Sequence, residues 1–419
     1  MRCFRYLREE MRSKLSVIAN VLAIAIVVLF FYGNSDRYFV YQIDESAWIA
    51  VGQWSFKKFF VERDYSNSDW RSAYGTFGPY TPNAGKFIIG GFLHANGLSA
   101  APDCSRYKEG EEIAQCLEPW LSLARTLTLT LAGSTVSLLF ILIKIMAPGR
   151  WYWVGGYVAC IVFAGHREMR AIGRYVLLDV YVIFFSLLAL TTTCWYLSQS
   201  RRSLAQSIGW GTITGILTGL AVASKLNGAL AVMAIVVIAL INYLRRRNKD
   251  AAFFAGMVIL WPPLVFLVLN PQLWPNPYEG LLLMLSHRDM LMNFYGSHGA
   301  PVIDSFPEGL QWLYIRTIRD AFFAPTLIET PSHVLYYVSG YIFTLICFTG
   351  ILVMTQWLRN IWPFYVYSVI ATLGTLAWVP APQVRYYLPV TPVVAFAAGI
   401  VAIVTLEKAV SLLARSRHA

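Results

Sequence analysis

Two adjacent carboxylates, Asp44 and Glu45, stand in the stretch YQIDESAWIAVGQWSF, which begins soon after the first strongly apolar run of the chain ends. A carboxylate at a membrane boundary can take the proton from an attacking hydroxyl and so act as a general base. The chemistry alone permits either acid in this role. Glu45 could also position a substrate or contact a metal ion, and Asp44 could simply cap the helix that follows it.

Cations suited to an anionic ligand lie in the stretch AGHREMRAIGRYVLLDV. Arg167, Arg170 and Arg174 follow one another at spacings of three and four, so in a helix they would share one face, with His166 beside it. Arginine binds phosphate through a planar fork of donors, so the pattern predicts a lipid-phosphate site. Anionic lipid headgroups and salt bridges to loop acids are the alternatives. Further candidates at the ends of apolar runs, where cations can also simply snorkel, are Arg125, Lys225 and Arg385, with Tyr386 beside the last.

The composition indicates which elements must position these groups. Of the 419 residues, 57% are hydrophobic and 14% are charged, and the mean hydropathy is +0.52. The apolar residues cluster in runs close to the roughly 20 residues that cross a bilayer as a helix. The sequence therefore predicts an all-α polytopic membrane protein with about ten transmembrane helices. The predicted spans are 15–33, 120–147, 151–165, 176–198, 205–223, 226–244, 251–269, 333–357, 361–379 and 387–405, whereas the runs 87–97 and 280–293 are too short or too polar to count.

Charge orients the predicted bundle. One side carries half of the 34 lysines and arginines, against only four acids. Basic residues in short loops mark the cytoplasmic side, so both termini are predicted to be cytoplasmic and Asp44 to face outward. The first span follows a basic N-terminal segment without a small-residue cleavage site, which favours a retained signal-anchor. The net charge of +11 then reflects topology and not a surface for nucleic acid.

Two long outer loops, 34–119 and 270–332, follow from this topology, and residues 1–419 are predicted to form a single membrane-embedded domain. In 46–60, aromatic and apolar residues recur at helical spacing, which predicts an amphipathic helix at the interface. Cys104 and Cys116 both lie in the first outer loop, so they are a candidate disulfide in an oxidising compartment. The cysteine and histidine spacings do not fit a structural zinc site of standard type, and a divalent metal stays open.

Several segments together resemble the membrane glycosyltransferases of the GT-C fold, specifically glycosyltransferase family 39, the protein O-mannosyltransferases and bacterial aminoarabinose transferases. They occur in the family's order from about residue 40 to 395. The acid pair of IDE follows the first span, and YTPNAGKFIIG is similar to the family's HPPLGK segment, although Tyr80 and Thr81 replace the usual His. The other segments are LSLARTLTLTLAG, RAIGRYVLLDVYVIFF, GLAVASKLNGAL, NPQLWPNP and RYYLPVTP.

This resemblance implies transfer of a sugar from a polyprenyl-phosphate donor to an acceptor at the outer membrane face, in a bacterial plasma membrane. Asp44, the first acid of the pair, is favoured as the base, and the cations would stabilise the leaving phosphate. The acceptor could be a protein, a lipid or a glycan. Candidate residues of an acceptor cleft are Lys86, Asn270, Gln272 and Trp274, although the prolines around the last three could simply end a span.

Two rival classes stay open at the level of sequence. A transporter or flippase of an anionic lipid or solute would place polar, broken helices near mid-membrane, whereas the charges here lie at the outer ends of spans. A non-catalytic, lipid-binding partner subunit would carry the same residues without turnover.

Overall fold

The computed structural model is all-helical in the residues that it describes, as the sequence predicts. These residues are 19–32, 43–72, 78, 80–102, 104, 110–147, 149, 151–200, 202–274, 276–297, 303, 305–319, 342, 344–347, 349–350, 352, 358–378 and 384–416. The helices in chain order are α1 (Ala19–Tyr32), α2 (Ile43–Phe56), α3 (Asn67–Ser72), α4 (Ala84–Ala95), α5 (Gly110–Cys116), α6 (Trp120–Met146), α7 (Tyr152–Gly165), α8 (Arg167–Ile172), α9 (Leu178–Ser198), α10 (Leu204–Ser224), α11 (Ala229–Arg246), α12 (Lys249–Val268), α13 (Pro277–Ser297), α14 (Phe306–Tyr314), α15 (Leu358–Trp378) and α16 (Thr391–Ser416).

Six helical segments of the described chain are long and apolar enough to cross a membrane. They correspond to α6, α9, α10, α11, α12 and α16, and the shorter apolar helices are α1, α7 and the central part of α15. Nine of the ten predicted spans therefore coincide with apolar helices of the described residues. The predicted span 333–357 lies largely outside those residues. The weaker runs, 87–97 and 280–293, fall in α4 and α13, neither of which has the hydropathy of a span.

Close packing of α10 on α12 depends on glycines four residues apart. Gly211, Gly215 and Gly219 face α12, and a Cβ added at Gly215 would lie 2.8 Å from the Met257 carbonyl oxygen. Small residues at this spacing let two membrane helices approach closely, which is how helices associate in lipid. Ser203 caps the start of α10 in a reciprocal capping box with Gln206, which fixes the residue at which the helix begins.

We expect Gly215→Ala to lower the melting temperature of the purified protein, because the added methyl group meets backbone that has no space to yield. Gly209→Ala is the matched control on the same helix, since a Cβ there would meet nothing within 4 Å. The control should leave stability unchanged or raise it by about 0.5–1 kcal/mol, the cost of glycine within a helix. Equal melting temperatures for the two variants would show that α10 and α12 are not tightly packed at Gly215.

Packing against α4 places α2, the helix that carries the acid pair. A Cβ at Gly90 of α4 would overlap the carbonyl of Gly52, so the two backbones touch. The predicted helix in 46–60 is present, but Trp48, Ile49 and Val51 are buried. Its apolar side is thus covered by protein, because α4 packs on it. The exposed apolar surface lies further along, on the π-helical turn Lys57–Glu62.

A disulfide crosslinks the segment between α4 and α6, as the cysteine positions suggest. Cys104 and Cys116 form a disulfide with their Cα atoms 6.0 Å apart, which confirms that prediction. Gln53 of α2 donates a hydrogen bond of 2.8 Å to the carbonyl of Leu98, just before the bridged segment. This hydrogen bond ties the chain that follows α4 to α2, the helix that carries the acid pair.

Candidate active site at one end of the bundle

Two ion pairs meet at one end of the bundle. Arg385 Nη1 donates a hydrogen bond of 2.8 Å to Asp44 Oδ2. Lys225 Nζ lies 2.8 and 2.9 Å from the two carboxylate oxygens of Asp179. The ring of Tyr386 is close to both cations, with its centroid 5.7 Å from Lys225 Nζ and 5.9 Å from Arg385 Cζ. We call Asp44, Asp179, Lys225 and Arg385 the charge cluster.

Four segments distant in sequence bring the charge cluster together. Asp44 and Asp179 lie in the first turns of α2 and α9, where a carboxylate is favoured by the partial positive charge of a helix start. Lys225 follows the last residue of α10, and Arg385 lies in the 3-10 turn Val384–Val390 before α16. Arg385 and Asp44 are 341 residues apart in the chain.

The charge cluster is unevenly exposed. The Asp179 side chain is 3% exposed, whereas those of Asp44 and Arg385 are 21% and 26% exposed. Asp179 is thus an internal anchor for Lys225, and the Asp44–Arg385 pair is the side that a ligand could reach. Asp179 was not among the residues predicted for the site. It ends the arginine-rich stretch that resembles the family, which was the only signal for it in the sequence.

Glu45 occupies a different environment from its neighbour. It is fully buried, and its carboxylate accepts two hydrogen bonds from Arg125, at 2.9 Å from Nε and 2.6 Å from Nη2. Glu45 Oε1 also accepts a hydrogen bond of 3.0 Å from the backbone N–H of Val176. Arg125 is therefore engaged with Glu45, and the pair joins α2, α6 and the loop before α9.

The arginine-rich stretch is only partly helical. Helix α8 ends at Ile172, so Arg174 lies beyond it, and the prediction that three arginines share one helical face is wrong for Arg174. Glycine 173 follows α8 directly, and helices commonly end near a glycine. Arg174 Nη2 instead donates a hydrogen bond of 2.6 Å to the carbonyl of Phe31 at the end of α1. On α8, the buried Nε of Arg170 has no hydrogen-bond partner among the described residues.

His166 is buried, with its Nε2 3.4 Å from the carbonyl oxygen of Thr317. Burial lowers the pKa of His166 to about 4, because the charged imidazolium would lose its hydration. His166 is therefore neutral near pH 7. It contributes packing and a hydrogen bond, and it adds no positive charge to the predicted phosphate site.

The residues predicted for an acceptor cleft form a buried network instead of an open surface. Lys86 is fully buried, and its ammonium donates to the carbonyls of Gly78 and Thr81 and to Asn83 Oδ1, at 2.8–2.9 Å. Asn83 in turn contacts both Asn270 Oδ1, at 3.0 Å, and Gln272 Oε1, at 2.7 Å. The network ties the segment before α4 to the segment after α12.

Trp274 differs from its neighbours in this set because it is exposed. Its ring lies 5.0 Å, centroid to centroid, from that of Tyr65. Within the described ranges, no group of three or more His, Cys, Asp or Glu residues could hold a metal ion.

Residues 121–272 match a sequence model of the family described as dolichyl-phosphate-mannose-protein mannosyltransferase. This match confirms, for the middle of the chain, the resemblance inferred from the motifs. The matched interval contains Arg125, Asp179 and Lys225, whereas Asp44 and Arg385 lie outside it. A search of curated proteins finds no match to this chain.

The fold is similar to those of solved membrane glycosyltransferase structures. ArnT from Cupriavidus metallidurans, solved with undecaprenyl phosphate, superposes with a TM-score of 0.56 at 13% identity, over 91% of this chain and 59% of that one. The oligosaccharyltransferase AglB from Archaeoglobus fulgidus, solved with an inhibitory peptide and a dolichol-phosphate, gives 0.54 at 12% identity, over 97% and 52%. The chain thus spans between half and two thirds of the length of these proteins. The predicted GT-C fold is confirmed.

Proposed function

We propose that this protein transfers a sugar from a polyprenyl-phosphate donor to the hydroxyl of an acceptor, with Asp44 as the general base. The main observation in support is the placement of Asp44, a partly exposed carboxylate at the start of α2, among the cations of the charge cluster. The family match over residues 121–272 and the GT-C fold fit the same chemistry. The acceptor would be a protein, a lipid or a glycan.

In the proposed reaction, the acceptor oxygen forms a bond to the anomeric carbon while the bond from that carbon to the phosphate oxygen breaks. The acceptor proton goes to Asp44, as in general base catalysis. The electron pair of the broken bond leaves with the lipid phosphate, whose negative charge Lys225, Arg385 and Arg170 stabilise. A single displacement of this kind inverts the configuration at the anomeric carbon.

Glu45 and Arg125 have a positioning role in this proposal, because their charged groups are engaged with each other. Their bonds link the helix of Asp44 to α6 and to the loop that leads into α9. Neither residue needs to touch the substrate for this role. The network of Lys86, Asn83 and Gln272 supports the outer loops in the same indirect way.

The protein is an integral membrane protein, as its long apolar helices indicate. We place it in a bacterial inner membrane with both termini in the cytoplasm and the charge cluster on the extracytoplasmic side. The short, basic turn between α11 and α12 supports this orientation, since such turns stay in the cytoplasm.

A membrane-impermeant thiol reagent should therefore label a cysteine placed at Ser66 in intact cells, and it should not label one placed at Arg247. The assay needs only variants that reach the membrane, which detection of the full-length chain can verify. After the membrane is permeabilised, the Arg247→Cys protein should become labelled, which is the control for reactivity. Labelling of Arg247→Cys in intact cells would overturn both the orientation and the location of the site.

The proposed activity can be tested with purified protein and a radiolabelled polyprenyl-phosphate sugar, assayed over several sugars and acceptors. Release of lipid phosphate together with sugar transfer would support the enzyme. Asp44→Asn protein is the matched control for contaminating activity. Exchange of label across liposomes without cleavage would support a transporter instead, and binding without either process a non-catalytic subunit.

For the phosphate site, we expect Arg170→Ala to reduce the catalytic efficiency with the donor by about 2 kcal/mol, the value of a charge-assisted hydrogen bond in a partly desolvated site. The Nε of Arg170 is buried and has no hydrogen-bond partner among the described residues, so a phosphate that reached this atom would gain a charge-assisted hydrogen bond. Arg170→Lys should restore only part of the loss, because lysine lacks the planar fork. Unchanged donor kinetics in both folded variants would indicate that Arg170 binds anionic lipid headgroups and not the donor phosphate.

We expect Arg174→Ala to act differently, since Arg174 is bonded to the end of α1. Its replacement should lower the melting temperature as well as donor use, because it removes a link between α1 and the loop after α8. A loss of donor use with unchanged stability would place Arg174 in direct contact with the donor.

A further inference from the structure

The carboxylate proposed as the base is engaged by a cation in this structure. Asp44 Oδ2 already accepts a hydrogen bond from Arg385 Nη1 at 2.8 Å. An oxygen in such a charge-assisted bond is less available to take a proton from an acceptor hydroxyl. The pair must therefore open, or change its geometry, before Asp44 can act through that oxygen.

The two ion pairs of the charge cluster differ in how easily they can open. Lys225 is held by both oxygens of Asp179, which is almost completely buried. A hydrogen bond of 2.8 Å joins Arg385 to Asp44, whose side chain is 21% exposed, against 3% for Asp179. The two cations are similarly exposed, so the pairs differ in the burial of their carboxylates. An ion pair whose carboxylate is partly exposed separates more easily than one whose carboxylate is buried, because separation then leaves less uncompensated charge in the interior. Lys225 is thus a fixed positive charge, and Arg385 is the cation that can change partner.

We infer that Arg385 exchanges partners when the donor binds. It breaks its hydrogen bond to Asp44 and pairs with the donor phosphate, which releases the base. This inference rests on the proposed function. A phosphate can take both arms of a guanidinium fork and carries more negative charge than one carboxylate, so it competes well for Arg385. Asp179 also attracts Arg385 electrostatically, which keeps the side chain within the charge cluster during the exchange.

The exchange makes activation of the acceptor hydroxyl depend on binding of the donor. Before the donor arrives, Asp44 Oδ2 is paired with Arg385 and is a weaker proton acceptor. Once the phosphate holds Arg385, the carboxylate is free at the moment when a sugar is present to be attacked. Asp44 and the lipid phosphate are therefore competitors for one cation, and removing the charge of Asp44 should make the phosphate bind more tightly.

The test measures the affinity of purified protein, in zwitterionic nanodiscs, for sugar-free polyprenyl phosphate. We expect Asp44→Asn to raise this affinity about tenfold, a typical coupling between two linked equilibria. The same substitution also removes simple repulsion between Asp44 and the phosphate. For that reason the Asp44→Asn substitution is also made in Arg385→Gln protein. There it removes the same repulsion between Asp44 and the phosphate, but Asp44 and the phosphate no longer compete for Arg385. In Arg385→Gln protein, Asp44→Asn should raise the affinity for polyprenyl phosphate by at most about twofold. The difference between this gain and the gain in the Arg385 protein measures the exchange.

An equal gain in both backgrounds would overturn the exchange and leave only repulsion, and no gain in either background would also overturn it. Folding of each variant is checked by thermal unfolding. If Arg385→Gln does not fold, Arg385→Lys takes its place, and the gain from Asp44→Asn should then fall well below that in the Arg385 protein. These results would leave the proposed transferase untouched, since they do not measure transfer. If the wild-type protein binds no polyprenyl phosphate, both the exchange and the proposed function are wrong.

Discussion

Asp44→Asn is expected to lower the rate of sugar transfer by about 10²-fold or more at saturating donor, because the amide keeps the shape of the carboxylate and cannot accept the proton. The substitution also leaves an acceptor oxygen for Arg385, so the start of α2 should stay folded. The measurement is turnover of the labelled donor by protein whose melting temperature matches that of the wild type.

The same variant separates catalysis from a structural role of Asp44. Asp44 is the second residue of α2, so a purely structural role would be the interaction of its charge with the helix start, worth about 0.3–1 kcal/mol. A residue with only that role would lose little activity on this change. Near-normal turnover of Asp44→Asn protein would therefore disprove the assignment of the base. A rate that falls only when donor is limiting would instead indicate a role in donor binding.

Glu45→Ala is expected to lower the stability of the protein more than Asp44→Asn does. It removes the partner of Arg125 and the acceptor of the Val176 N–H; the Glu45 carboxylate is fully buried, whereas the Arg125 side chain is 26% exposed. Breaking a buried ion pair by removing one partner costs about 3–5 kcal/mol, because the other charge is left uncompensated. We expect a large fall in melting temperature, measured by thermal unfolding in detergent, and transfer activity should fall with it.

A double substitution is the control for this prediction. Glu45→Met combined with Arg125→Met removes both charges, and apolar residues in place of a buried pair are often neutral for stability. The double variant should thus recover much of the stability and some of the activity that Glu45→Ala loses. If Glu45→Ala unfolds like the wild type yet transfers no sugar, Glu45 contacts the substrate directly, and its positioning role is wrong.

The helices of the bundle could be predicted from the sequence because each is specified locally. A run such as 226–244 is apolar over its whole length, so its state follows from the bilayer without reference to the rest of the chain. The disulfide could be predicted for a related reason. Cys104 and Cys116 are only 12 residues apart in one stretch between predicted spans, so both are predicted to lie on the same side of the membrane.

The partners of the site residues could not be predicted in the same way. Asp44 and Glu45 are adjacent in sequence, yet one pairs with Arg385 and the other with Arg125, and only the packing of α2 on α4 and α6 decides which. Lys86 belongs to the YTPNAGKFIIG segment and is predicted at an acceptor cleft, and its sequence gives no sign of burial, since lysine is seldom fully buried. Its burial depends on three acceptors supplied by the loop before α4.

The spacing of the charge partners along the chain has a consequence for biosynthesis. Glu45 and Arg125 are 80 residues apart, and Asp179 and Lys225 are 46 apart. These pairs can form while the ribosome is still inserting later helices. Asp44 must wait for Arg385, 341 residues further on. The Asp44–Arg385 pair therefore forms only when nearly the whole protein has entered the membrane, so a prematurely terminated chain would carry the acid without its counter-ion.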